Sequence, residues 1–143
     1  MKFNLIFLLL LVALIGCSGG ENRNPKADAI LCTAAYRTDA TQPLEAEQSY
    51  RLDSNNREFF AQFGETILTA QYQLGEVNQE RAVVVFVSTT TGPATTQLYQ
   101  LPQDNGPINQ FVGGHGFTGL NYFTHPFNGS ELQYWCSADF PAE

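Results

Sequence analysis

Between Thr66 and Leu74 the chain alternates, with Leu68, Ala70, Tyr72 and Leu74 separated by Thr69, Gln71 and Gln73. That period of two belongs to a half-buried strand, whose successive side chains point to opposite faces. Arg81 to Thr89 carries Val83, Val84, Val85, Phe86 and Val87. A β-branched run that is apolar on both faces predicts a central strand. Turn chemistry separates such runs at short intervals. Asp53-Ser54-Asn55-Asn56 lies between Tyr50-Arg51-Leu52 and Glu58-Phe59-Phe60-Ala61, Gly64-Glu65 precedes Thr66, Gly92-Pro93 precedes Ala94 to Leu101, and Asp104-Asn105-Gly106-Pro107 follows. No internal repeat interrupts the pattern. It predicts an all-β fold, a small antiparallel β-sandwich or barrel. At the start, Asp28 could cap a short helix holding Ile30, Leu31, Ala34 and Ala35, or a strand could present Ile30, Cys32, Ala34 and Tyr36. The strand is the expectation adopted.

Toward the C-terminus, Asn128-Gly129 is a strong hairpin signal between residues 121–127 and 130–137. A two-residue turn would pair Phe127 with Ser130, His125 with Leu132, Phe123 with Tyr134 and Asn121 with Cys136, on one shared face. Pro126 would then fall opposite Glu131, where its missing N–H costs the hairpin nothing. Phe117 to Phe123 also reads as strand.

The N-terminus follows a different pattern: Met1-Lys2-Phe3-Asn4, then an unbroken apolar run from Leu5 to Ile15. Such a run is too short to cross a bilayer, which takes about 20 helical residues, so it reads as a signal-peptide core. The residues that end it, Leu14-Ile15-Gly16-Cys17, resemble the lipobox of bacterial lipoproteins. That resemblance covers residues 1–17. It implies cleavage before Cys17, a diacylglycerol thioether on its sulfur and a further acyl chain on its new amino group, enough for stable anchoring. The chain accordingly divides into a signal peptide (1–16), a lipidated N-terminus with a flexible tether (17–28) and a single β domain (29–143). The eleven tether residues after Cys17 average roughly 18 Å end to end as a random coil and reach at most about 36 Å.

Three cysteines leave an odd thiol in an exported chain unless one has another use. With Cys17 acylated, Cys32 and Cys136 remain as a pair near the two ends of the domain, and a disulfide between its first and last elements is expected. Closing a loop of about 100 residues stabilises by up to about 4.7 kcal/mol in the chain-entropy model.

Losing Lys2 with the signal leaves six basic residues against fourteen acidic ones, a net charge of −8. Nucleic acid and anionic headgroups suit such a surface poorly; a basic protein suits it better. Chemistry is sparse. His115 in Val112-Gly113-Gly114-His115-Gly116 and His125 beside Pro126 have no ligand-type neighbours in sequence, so no metal or other cofactor is expected. His115 reads as an exposed loop residue and His125 as a partly buried imidazole bonded to backbone. The glycines around His115 lack the strand-to-helix setting of a phosphate cradle, Gly-x-Ser-x-Gly is absent, and the Asp53 region lacks the glycine and glutamate of an EF-hand. No catalytic residue is assigned, and the protein is not expected to be an enzyme. Eighteen aromatic residues are many for this size; they are expected mainly to fill the core, with Tyr99, Tyr122 and Trp135 as candidates for a binding face.

The expectation is therefore an envelope lipoprotein, anchored to a membrane through Cys17, whose β domain binds or scaffolds a partner without catalysis. Ser18, with no aspartate there, resembles lipoproteins sorted to the outer membrane. The layout of lipobox, small acidic β domain and two terminal cysteines also resembles membrane-bound inhibitors of C-type lysozyme, which implies a basic enzyme as target. The Tyr-x-x-Lys-Gly motif of those inhibitors is absent, the only lysines being Lys2 and Lys26, so no inhibitor residue carries over.

Overall fold

Eight strands form where alternation and turn residues place them: β1 (Ala29–Arg37), β2 (Ala46–Leu52), β3 (Glu58–Phe63), β4 (Thr66–Leu74), β5 (Arg81–Thr89), β6 (Gly92–Leu101), β7 (Asn121–Thr124) and β8 (Glu131–Asp139). The structure, a computed structural model, describes residues 29–75, 81–102 and 107–139. The expected signal peptide, Cys17, the expected tether and the Asp104-Asn105-Gly106 part of one expected turn lie outside the described residues. All neighbouring strands run antiparallel, in two separate four-stranded sheets ordered β2-β1-β8-β7 and β3-β4-β5-β6. Two sheets with distinct edges make a sandwich rather than a barrel.

The first segment is a strand because both its edges find partners, β2 on one side and β8 on the other. A short helix would leave the inner edge of β8 unpaired. Inward-facing Ile30, Cys32, Ala34, Leu52, Leu132, Tyr134 and Cys136 meet Phe59, Ala61, Phe63, Leu68, Ala70, Val83, Val85 and Val87 of the second sheet. Tyr50 stacks on Phe59 with ring centroids 4.2 Å apart, and Tyr36 on Phe63 at 5.7 Å, so aromatic pairs tie the β2 side of one sheet to β3 of the other. Cys32 and Cys136 face each other directly in the β1–β8 register and form the disulfide, with S–S 2.00 Å and Cα–Cα 4.0 Å.

The last hairpin differs from the sequence reading. The observed pairs are Asn121 with Tyr134 and Phe123 with Leu132, a register two residues away from that of a two-residue turn. His125 N–H donates to the Ser130 carbonyl at 2.8 Å, enclosing the four residues Pro126–Gly129, and Gly129 N–H donates to the His125 carbonyl. Asn128 uses its side-chain oxygen to accept the Ser130 N–H, so the Asn-Gly pair shapes the far side of a wider loop, with Gly129 at φ +73°. Pro126 stands exposed in that loop, not opposite Glu131, which pairs with Thr124 because the wider loop takes up residues 126–129. A shift of two preserves side-chain parity, so Phe123, Leu132, Tyr134 and Cys136 still share the inner face.

Residues 117–120 are a second departure: they are loop, and β7 is four residues long. Beyond the reach of β7, the edge of β8 is satisfied by irregular chain. Phe117 N–H donates to the Cys136 carbonyl, Cys136 N–H donates to Thr118 Oγ1, and the Asn109 amide both accepts from Ala138 N–H and donates to the Ala138 carbonyl. Side chains thus replace a missing strand and blunt an edge that would otherwise be open to pairing.

Candidate functional site

On β3 only one of the adjacent Phe59 and Phe60 can face the core, because strand side chains alternate. Phe59 is buried; Phe60 is 59% exposed on the outer face of the second sheet. Register carries the row across that face: Phe60 pairs with Thr69, Thr69 with Phe86 and Phe86 with Thr96. The neighbouring row runs from Glu58 through Gln71 and Val84 to Leu98, which is 64% exposed. Phe86 and Leu98, with buried Val84 beside Leu98 in its row, therefore form an apolar strip on β5 and β6 where a solvent-facing sheet normally carries polar side chains, and Phe60 stands on β3 beyond Thr69 and Gln71 of β4.

The strip continues into a hollow of about 660 Å³ at the end of the sheet near Leu74 and Arg81, lined among others by Glu58, Gln71, Gln73, Ala82, Leu98 and Gln100. Gln71 Nε2 donates to Glu58 Oε1 at 2.8 Å, orienting that carboxylate along the sheet. A surface on which apolar side chains alternate with amides and hydroxyls can bind by contact and hydrogen bonding. It presents no nucleophile beside a base.

The residues singled out from sequence are dispersed. Among the described residues no three His, Cys, Asp or Glu side chains converge on one point as metal ligands would. His115 is half-buried; its Nδ1 lies 3.1 Å from the Val112 carbonyl and its ring meets Trp135 edge-on at 5.2 Å. His125 is fully buried, more than expected, and its Nδ1 accepts the Phe127 N–H at 3.4 Å while Nε2 lies 3.6 Å from Glu65 Oε2. Asp53 closes a turn by accepting the N–H groups of Asn55 and Asn56, which together with Arg51 hold its carboxyl below the usual carboxylate range. Of the three candidate aromatics, Tyr122 is 58% exposed on the outer face of the first sheet, Trp135 lies on that same face partly covered by His115, and Tyr99 points inward. Sequence reasoning did not single out Phe60 and Leu98, although the Phe59-Phe60 doublet in a strand already required one ring to face water.

Tyr99 and Tyr134 both donate to Gln97 Oε1, at 2.9 and 3.0 Å, and Gln97 Nε2 donates to Asn121 Oδ1 at 3.3 Å. This network joins β6 to β7 and β8 across the gap between the sheets. Burial, then the neighbouring Tyr99, pushes the Tyr134 hydroxyl up to about 12. An unfolded tyrosine releases its proton near pH 10, whereas the folded protein retains it. Stability from this group is complete below about pH 10 and falls as pH rises toward 12, because the unfolded state then binds fewer protons. Tyr134→Phe should flatten the alkaline decline in urea-melt stability between about pH 10, the unfolded tyrosine value, and about pH 12. An unchanged decline would exclude Tyr134 as its source.

No known protein family, curated protein or solved structure matches this chain.

Proposed function

We propose that this protein is a lipid-anchored lipoprotein of the bacterial envelope, expected in the outer membrane, whose β-sandwich binds a partner without catalysis. The lipobox-like Leu14-Ile15-Gly16-Cys17 supports the anchor, and the outer face of β3–β6 supports the binding role. The observation that carries the reading is the exposure of Phe60 and Leu98, two large apolar side chains on the two edge strands of one outer sheet face, with Phe86 beside Leu98. Aromatic and aliphatic anchors surrounded by polar side chains are the usual makings of a contact surface. A basic protein is the expected class of partner, given the acidic balance of the chain.

Two measurements test the two halves. Cys17→Ala should abolish incorporation of labelled palmitate and leave the precursor uncleaved; undiminished labelling would sink the anchor. For the binding face, a photo-activated cross-linking residue at Phe60 or Leu98 in living cells should yield a discrete adduct. The same residue at Glu47, exposed on β2 in the other sheet, should not. Adducts equal at all three positions, or none at any, would overturn the assignment of the face. An inhibition assay with C-type lysozyme separates the inhibitor reading, which needs that enzyme as target.

A further inference from the structure

We propose that the loop from Pro107 to Gly116 rests on the membrane surface, with Ile108, Phe111 and Val112 set into the lipid headgroup region of the bilayer that holds the Cys17 acyl chains. The inference rests on the lipid-anchor reading above. Three observations carry it.

The first is exposure without charge. Ile108 is 62%, Phe111 47% and Val112 95% exposed. From residue 105 to residue 130 the sequence contains no Asp, Glu, Lys or Arg, in a chain of net charge −7. Of the eight large hydrophobic side chains exposed among the described residues, three lie within five residues of one another in this loop.

The second is position. Asn109 grips Ala138, and the next residue of β8, Asp139, pairs with Ala29, the first described residue of the domain. Asn109 and Ala29 thus flank β8 on opposite sides, about 10 Å apart at two strand spacings. The eleven residues 18–28 span at most about 36 Å even when fully extended. An anchor at Cys17 therefore joins the sandwich at this end, beside Asn109 and its loop, while the β1–β2 connection and the His125–Ser130 loop lie at the other end.

The third is that the loop is held in shape. Gln110 and Phe111 N–H groups both donate to the Gly116 carbonyl, Gly116 packs on the backbone of Cys136 and Ser137, and the Phe111 ring lies over Gly119. The apolar side chains of Ile108, Phe111 and Val112 are thereby presented on the outside of the sandwich. A net acidic protein suits zwitterionic better than anionic lipid, and an uncharged loop avoids the cost of bringing charge to the interface.

Trp135 is the only tryptophan, which permits a direct test. The lipidated protein carrying Trp135→Phe with Val112→Trp, and a second carrying Trp135→Phe with Gln42→Trp, are placed in phosphatidylcholine vesicles whose acyl chains are brominated. Val112 and Gln42 are both exposed, so neither change disturbs packing. Residues set into the interface lie about 5–10 Å deep, and the Val112→Trp protein should be quenched at least about threefold more than the Gln42→Trp protein, with a blue-shifted emission. Equal quenching in protein whose N-terminal peptide has the acylated mass would overturn the loop's docking and leave the anchor standing. A peptide without acyl mass would overturn the anchor, and the docking with it.

Discussion

Replacing both Cys32 and Cys136 by alanine will lower the melting temperature of the mature domain sharply or prevent its accumulation. The two sulfurs join the strands that begin and end the domain across 104 residues of sequence, so reduction frees almost the whole chain from its longest constraint. Both residues are almost fully buried in the core, at 1% and 2% exposure, and the alanine pair also leaves unfilled volume there. Loss of a native bridge from a small exported domain costs about 2–5 kcal/mol out of a total stability of about 5–15 kcal/mol. The bond itself is checked by thiol titration of denatured, unreduced protein carrying Cys17→Ser. Two reactive thiols per chain would show it to be absent.

Gly116→Ala should be nearly as damaging, by about 2–4 kcal/mol, from strain and overpacking combined. Gly116 has φ +62°, and a Cβ there would stand 2.2 Å from the Cys136 carbonyl oxygen and 2.5 Å from Ser137 Cα. Both obstacles are backbone of a central strand, which cannot move aside without breaking the β1–β8 pairing beside the disulfide. The loop must lift instead, releasing Thr118 from Cys136 N–H and Asn109 from Ala138. Hydrogen exchange at Cys136 and Ala138 should accelerate together with the loss in thermal stability. Gly114→Ala is the control, because Gly114 also has positive φ, +81°, but nothing lies within 4 Å of its added Cβ. Conformational strain alone should cost it about 1–2 kcal/mol. Equal losses in the two variants would show that the close approach to β8 is unimportant.

The same loop shows where sequence reading ends. β4 and β5 were legible to the residue because their side chains alternate, or are apolar on both faces, within a single uninterrupted segment. Those signals are local. The β7–β8 register was not legible, because Asn128-Gly129 is compatible with a two-residue turn or with the far side of a four-residue loop. The wider loop is closed by the His125 N–H bond to the Ser130 carbonyl and by the hydrogen bond of Asn128 with Ser130. Face-sharing survived that error because both registers have the same parity, which is why the placement of Cys136 in the core held. For Phe117 to Leu120, apolar content suggested a strand, but Gly116 and Gly119 both take positive φ and turn the chain into a clasp on β8.

The candidate binding face divides in the same way. That one ring of Phe59-Phe60 faces solvent follows from alternation alone. That Phe60 lies in the row of Phe86, with Leu98 in the next, depends on three inter-strand registers between segments distant in sequence, from β3 to β6. By itself the sequence determined the strand content, the positions of most turns, the acidic balance, the lipobox-like N-terminus and the leftover cysteine pair, since each depends on residues near one another or on composition. Tertiary structure alone decided the separation into two sheets, the direct opposition of Cys32 and Cys136, the clasp on the edge of β8 and the clustering of apolar side chains on one outer face. Those features are set by contacts between segments distant in sequence, where packing and hydrogen-bond satisfaction of the whole chain outweigh local preference.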